Sequence, residues 1–379
     1  MGSYLSIIFG TTFIAWLNNI IKTKKDFFFK MSLLFLAIIS GLRWEVGNDY
    51  LSYYSIFNGI NFMEREEIEI GYIILNKIFY NLGFHFNFML FFISCFEMIL
   101  FYNFIKYFSS NKKNYYIYIF LFLAIREYFI FLSLIRQGIA IYIFIFSLKY
   151  LQKKDLKKFI VICIFGSLFH KSILLFLIYE VFCYKMENKK LINMVVFIFA
   201  ISFIVLGDTL SNFFIKFLTV IKFEEYIGYV RFQKVIFGTG LGFISKIFVI
   251  FILFFFYNKK EETEKYNFIV TNVQFFYIIT LLKAIGLTQF YRLPHYYVCF
   301  ILFLPEIISN RIKYRFFLNV TSIFLGTLIF VRTYTIIQKT MEIQYKRFND
   351  EYQLIFNKND IYKRKLFFYD QEKAEVIFY

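Results

Sequence analysis

The sequence predicts an all-α fold, a polytopic bundle of about 11–12 membrane crossings with short re-entrant or broken helices among them. Three observations predict it. Apolar runs of about twenty residues recur along the whole chain, the length a bilayer core of roughly 30 Å demands. Hydrophobic residues make up 59% of the chain and charged residues 18%, where a soluble domain carries about a quarter. The basic residues gather in short clusters between the apolar runs, as they do in cytoplasmic loops of membrane proteins. A mean hydropathy of +0.59 agrees.

The expected spans are 3–21, 27–42, 84–107, 115–131, 134–150, 159–184, 191–207, 239–257, 266–285, 293–309 and 315–332. They must be helices, because backbone facing lipid has to satisfy its own hydrogen bonds. With only 2 prolines and no Ser/Pro/Gly-rich linker, residues 1–332 read as one transmembrane domain and 333–379 as a C-terminal tail. The first span has no basic n-region or cleavage site and is expected to stay in the mature protein. Segment 71–82 reads as a short re-entrant or interfacial helix.

Lysine placement orients the bundle. Lys22, Lys24, Lys25 and Lys30 follow the first span and belong inside. Stretch 43–69 holds Arg43 and Arg65 against six acidic residues and belongs outside. Lys106, Lys112 and Lys113, then Lys149, Lys153, Lys154, Lys157 and Lys158, fall inside in turn. Segment 159–184 allows two readings, one crossing or a broken hairpin. Gly166 and the polar run Phe169-His170-Lys171-Ser172 interrupt it, and a His-Lys pair in mid-span is costly unless it lines a wet cavity. The hairpin is therefore preferred, with 43–69 and 208–238 as outer loops.

The net charge of +17 does not argue for nucleic acid, because the charge is dispersed among the loops. The four cysteines lie in apolar spans without metal-ligand spacing and read as buried small hydrophobes. No clustered acidic motif for a metal is present, so no metal or cofactor is expected. Under the hairpin topology Arg43, Asp49, Glu69, Arg136, Gln137, His170, Arg231 and Arg292 all fall on the outer face.

Four ordered motifs carry a family likeness. They are Gly41-Leu42-Arg43-Trp44-Glu45-Val46-Gly47-Asn48-Asp49-Tyr50 with Tyr53 and Tyr54, Glu69-Ile70-Gly71-Tyr72 with Leu75-Asn76, Arg136-Gln137-Gly138-Ile139-Ala140, and Phe169-His170-Lys171-Ser172. Tyr291-Arg292 follows near the end. Together they resemble the EpsG-like family of Wzy-type polysaccharide polymerases, which build bacterial capsules and exopolysaccharides. Asn48 stands where threonine is commoner in the family, and 190–280 and the tail carry no matching motif.

The resemblance implies an architecture like that of GT-C glycosyltransferases in the bacterial cytoplasmic membrane, with its active site facing outside. It implies a reaction between glycans on undecaprenyl diphosphate, the growing chain passing to the sugar hydroxyl of a new repeat unit. Membrane lipid, a chain-length regulator and a flippase of the same pathway are the implied partners. Arg43, Arg136 and Arg292 would hold diphosphate by bidentate, charge-assisted hydrogen bonds. Tyr50, Tyr53, Glu69, Tyr72, Gln137 and Arg231 would meet sugar. His170 or Asp49 would take the acceptor proton, with His170 preferred.

Plainer roles compete at each position. Arg43 with Asp49 could form an interfacial ion pair, Arg136 and Arg292 could snorkel, and Glu69 could cap the helix after it. Arg126 and Glu127 read as an internal pair and His295 as interfacial. Glu97, Lys246 and Lys283 are buried charges that no motif explains. Two other functions stand beside polymerisation: an O-antigen-ligase-like transferase, and a non-enzymatic flippase or transporter of lipid-linked sugar.

Overall fold

The structure, a computed structural model, describes residues 2–21, 26–44, 46–47, 49–59, 68–186, 188–205, 241–256, 264–282 and 292–307. The described residues contain helices and no strand. In chain order they are α1 (Gly2–Ile20), α2 (Phe27–Leu42), α3 (Tyr50–Phe57), α4 (Ile70–Asn81), α5 (Phe86–Phe108), α6 (Tyr115–Ala124), α7 (Glu127–Ser133), α8 (Ile135–Gln152), α9 (Leu156–Ser167) and α10 (Ile173–Met186). Then come α11 (Lys189–Val205), α12 (Leu241–Phe256) and α13 (Glu264–Leu282). Two 3-10 segments, Leu293–Tyr296 and Val298–Phe303, complete the described part.

The helices are apolar on their outsides as well as their insides. In α2 the buried face carries Phe29, Leu33, Leu36, Ala37 and Ser40, the i, i+3/i+4 spacing of one helix face. The opposite face shows Met31, Leu34 and Ile38 to the exterior. Phe88, Phe92 and Ile99 of α5, Ile164 and Phe165 of α9, and Ile178 and Phe182 of α10 are likewise exposed. Glu97, Glu127, Gln137, Glu180, Asn193 and Asn272 are buried instead. That inversion suits a lipid exterior, where polar side chains turn inward to find partners.

α5 is, among the described residues, the one helix long and apolar enough by itself to cross a bilayer. α2 packs on α5, and α1 packs on both α2 and α6. The α2–α5 contact is close because Gly41 lacks a side chain: a Cβ there would lie 2.5 Å from Cβ of Phe91. α8 lies against α5 and α9. α11 and α12 pack on α13 as a second group, joined to the rest through α13 and the 3-10 segments.

α9 and α10 form the preferred hairpin. Tyr184, near the end of α10, donates its hydroxyl to the carbonyl of Lys154 at 3.4 Å, just before α9 begins. The lysines of 153–158 and of 185–190 therefore lie at one end of the hairpin, and His170 lies in its turn at the other. At 1.5 Å per residue the arms are only about 18 and 21 Å long.

The structure corrects several expectations. Span 115–131 is broken: Arg126 adopts a left-handed conformation with φ of 66°, and α6 meets α7 at a 50° bend. Segment 293–309 does not form one α-helix. It winds as two 3-10 segments, Leu293–Tyr296 and Val298–Phe303, with Pro294 in the first turn, and every residue from Pro294 to Ile307 is buried. The narrower, longer-pitched 3-10 winding threads a strand of core through crowded neighbours. His295 is buried rather than interfacial, and its Nδ1 lies 2.9 Å from the Glu127 carboxylate, so the partner of that acid is His295. Segment 43–69, expected as an outer loop, contains a helix, α3, that no expectation foresaw. Span 315–332, loop 208–238, Arg231, Lys283 and the tail lie outside the described residues.

Candidate functional site

The site forms where three chain segments meet at the hairpin turn. α4 starts at Ile70, and the amide of Gly71 donates to the carbonyl of Leu168 at 2.8 Å. Only glycine fits, since a Cβ would stand 2.7 Å from that same carbonyl oxygen. The contact brings Glu69, just before α4, to the turn. α8 brings Arg136 in its first turn, and the guanidinium Nη1 forms an ion pair with Glu69. The Glu69 side chain is 9% exposed and that of Arg136 26%, so the pair is half shielded from solvent. Glu69 does not use its side chain as a helix cap.

The third segment is the 3-10 stretch after Arg292. The backbone carbonyl of Arg292 accepts from Nε2 of Gln137 at 3.2 Å, which ties it to α8. Its side chain is exposed. Tyr296 of the same stretch is fully buried against Phe176 and Phe144, and its hydroxyl lies 2.8 Å from Ser172 Oγ. Ser172 Oγ lies in turn 2.7 Å from Nδ1 of His170. Burial pushes the His170 pKa below the ordinary imidazole value; nearby Glu69 raises it, and Arg136 and Arg292 lower it further. Glu69, Arg136, His170 and Arg292 are thus electrically one cluster, although 223 residues separate the first from the last (292 − 69).

Tyr53 of α3 lies against Arg136 and packs edge-on to Tyr72 of α4, with ring centroids 5.5 Å apart. Asp49 precedes α3 and is close enough to act on Tyr53. Among the described residues its carboxylate has no hydrogen-bond or ion-pair partner, and it does not cap α3 with its side chain. Tyr72 is fully buried beneath Tyr53.

Arg43 and Tyr50 are placed one layer deeper. Arg43 is 2% exposed; Nη1 donates to Ser40 Oγ at 2.7 Å and Nη2 to the Leu132 carbonyl at 3.0 Å. It lines a cavity of about 10 Å³ with Ser94, Glu97 and Tyr142, space for about one water. Tyr50 is 1% exposed and donates to Asn87 Oδ1 at 3.3 Å. Asn87, which sequence reading passed over, also donates to the carbonyls of Gly41 and Arg43 at 2.9 and 2.7 Å, so it holds the first motif in place. Its signal was an amide near the start of an otherwise apolar span. Ser172 and Tyr296 were likewise not singled out as site residues, and only the third dimension joins them to His170.

The sequence model of the EpsG family matches residues 26–349. The chain belongs to the EpsG family. No curated protein and no solved structure matches it. The match spans all four motifs and the Arg292 segment, so every residue of the described cluster lies within the EpsG portion. Membership brings the protein into polysaccharide biosynthesis as a polymerase-type, glycosyltransferase-like protein.

Proposed function

We propose that this EpsG-family protein is a multi-pass enzyme of the bacterial cytoplasmic membrane that joins polysaccharide repeat units carried on undecaprenyl diphosphate. The convergence of Arg136 and Arg292 on the turn that bears His170, beside Glu69, carries the reading. The hairpin supports the topology: it returns both lysine clusters to one end, taken as the cytoplasmic end, and leaves His170 at the outer one.

The acceptor hydroxyl forms a new bond to the anomeric carbon of the growing chain as the bond to the diphosphate oxygen breaks. The leaving diphosphate gains negative charge, and fixed guanidinium groups stabilise it. Arg136 and Arg292 meet that need directly. Arg43, committed to Ser40 and Leu132, supports the floor of the site. Tyr53, Glu69 and Gln137 border it and Tyr50 and Tyr72 shape it from below, while Arg231 remains a candidate for sugar binding. The two arginines supply the positive charge that a metal would otherwise bring, so no divalent ion is required.

The test uses purified full-length protein and lipid-linked repeat units. Wild type should polymerise them in excess chelator. Arg136→Lys and Arg292→Lys keep the charge but lose the planar fork, and each should fall about 10²–10³-fold in turnover. Wild-type turnover in both variants would remove the arginines from the reaction. A product on a non-polymer acceptor would favour the ligase-like reading. In intact cells a cysteine at Ser52 should label from outside and one at Asn188 should not; the reverse pattern defeats the topology.

A further inference from the structure

His170 raises a question that its place in the cluster does not answer, namely which ring nitrogen carries the proton. Two donors converge on Nδ1. The backbone amide of Ser172 donates to it at 3.2 Å, and Ser172 Oγ lies 2.7 Å away. An amide N–H cannot accept, so Nδ1 must present its lone pair. The neutral ring then carries its proton on Nε2.

The hydroxyls beyond agree with this sense. Tyr296 Oη lies 2.8 Å from Ser172 Oγ, which makes the relay Tyr296 O–H to Ser172 Oγ–H to His170 Nδ1. Protonating Nδ1 would set two N–H groups against each other. It would also reverse both hydroxyls and oblige the fully buried Tyr296 hydroxyl to find a new acceptor. The lowered pKa of His170 favours a neutral ring over the imidazolium.

A ring held as the Nε2–H tautomer has no lone pair left to take a proton. Its free edge can only donate. The other candidate, Asp49, has a carboxylate with no hydrogen-bond or ion-pair partner among the described residues, and it acts on Tyr53, which in turn lies against Arg136.

We propose that His170 acts as a neutral hydrogen-bond donor through Nε2–H, locked in that tautomer by Ser172 and Tyr296, and that Asp49 takes the acceptor proton. The role rests on the glycosyl-transfer reading above. The acceptor oxygen bonds to the anomeric carbon, the bond from that carbon to the diphosphate oxygen breaks, and the diphosphate leaves with the electron pair. The hydroxyl proton passes to the Asp49 carboxylate. His170 donates to an oxygen of substrate, in keeping with Arg136 and Arg292 around it, and Ser172 and Tyr296 are positioning residues.

Two measurements test it. The first does not depend on the reaction. Full-length protein with ¹⁵N-labelled histidine, compared with His170→Gln to assign the signal, reports the tautomer by long-range proton–nitrogen correlation. The expected result is a neutral ring at pH 7, protonated on Nε2 alone. An imidazolium, or an Nδ1–H ring, overturns the proposal. In Ser172→Ala and Tyr296→Phe the tautomer preference should weaken; unchanged preference in both overturns the relay.

The second is single-turnover polymerisation. Glutamine can donate as Nε2–H does but has no basicity. His170→Gln should fall about tenfold and keep the acid limb of the pH–rate profile, while His170→Ala falls 100-fold or more. Asp49→Asn should lose about 10²–10⁴-fold while still binding lipid-linked substrate. If His170→Gln is as inactive as His170→Ala, or if the acid limb vanishes with His170→Gln, histidine is the base and the proposal fails. If wild type transfers no glycan at all, the functional reading fails while the tautomer result stands.

Discussion

The α8–α10 layer holds an acid–base pair towards each end, and the two are built differently. Towards the lysine-rich end, Glu180 is 1% exposed and accepts Lys189 Nζ at 2.6 and 2.8 Å and the Tyr297 hydroxyl at 2.7 Å. Lys189 gives a further contact to Asn272 at 2.8 Å and lies 5.0 Å from the Phe268 ring centre. The three donors of the ammonium have three acceptor atoms, and the charges cancel. At the turn, Arg136 and Arg292 face the carboxylate of Glu69 around His170, and with Lys171 and Asp49 counted as well the sum is one positive charge. The Arg136 side chain is 26% exposed, where that of Lys189 is 12%. A saturated, neutral pair holds helices together, whereas a half-open, net positive one can receive an anion.

Removing one partner at each end breaks this comparison if it is wrong. Glu180→Ala leaves Lys189 buried without its counter-charge and should cost about 3–5 kcal/mol. Thermal unfolding of the purified protein in detergent measures it. Glu69→Ala should cost about 1 kcal/mol or less, because solvent reaches Arg136, yet it should lower turnover far more than it lowers stability. Equal destabilisation by the two substitutions would mean that the turn cluster is a structural pair like the other.

A smaller effect tests how the turn is assembled. Gly71→Ala places a methyl 2.7 Å from the Leu168 carbonyl, and backbone cannot swing aside as a flexible side chain does. The start of α4 must shift, which should cost about 1–3 kcal/mol and move Glu69 away from Arg136. Gly10→Ala is the control, since nothing lies within 4 Å of its added Cβ. If both variants keep wild-type stability and turnover, the α4–hairpin joint does not position the site.

How far the sequence alone reached follows from the range of each interaction. The helices α2, α5 and α8 were legible because apolar length and flanking lysines are local properties. The hairpin was legible from Gly166 and the polar His170-Lys171-Ser172 interruption, also local. Glu69, Arg136, Gln137 and Arg292 were named from motif order, and the structure brings them together. The break at Arg126 was not legible, because a left-handed arginine inside an apolar run has no compositional mark. The His295–Glu127 pair spans 168 positions, and the link of Ser172 to Tyr296 spans 124, so neither could be read from spacing. Arg43 was expected to hold diphosphate, but it is buried on Ser40 and on the carbonyl of Leu132, a residue 89 positions away, and that depth could not be read from spacing.

The mildest change concerns a third ion pair, outside both clusters. Lys154, in the turn between α8 and α9, lies 3.5 Å from Glu264 at the start of α13. Their side chains are 71% and 74% exposed. In water the Coulomb gain is small, ordering two long side chains offsets much of it, and salt screens the rest. Glu264 also occupies the first turn of α13, where a carboxylate is favoured by the helix dipole by a few tenths of a kcal/mol. Glu264→Gln should therefore cost less than about 1 kcal/mol in detergent at low salt, and the cost should shrink as salt is raised. It should leave turnover unchanged, since neither residue belongs to the His170 cluster. Unfolding curves of wild type and Glu264→Gln at low and high salt decide it. A loss approaching that of Glu180→Ala, and indifferent to salt, would mean that burial does not grade these three pairs, and the contrast between the two ends would lose its physical basis.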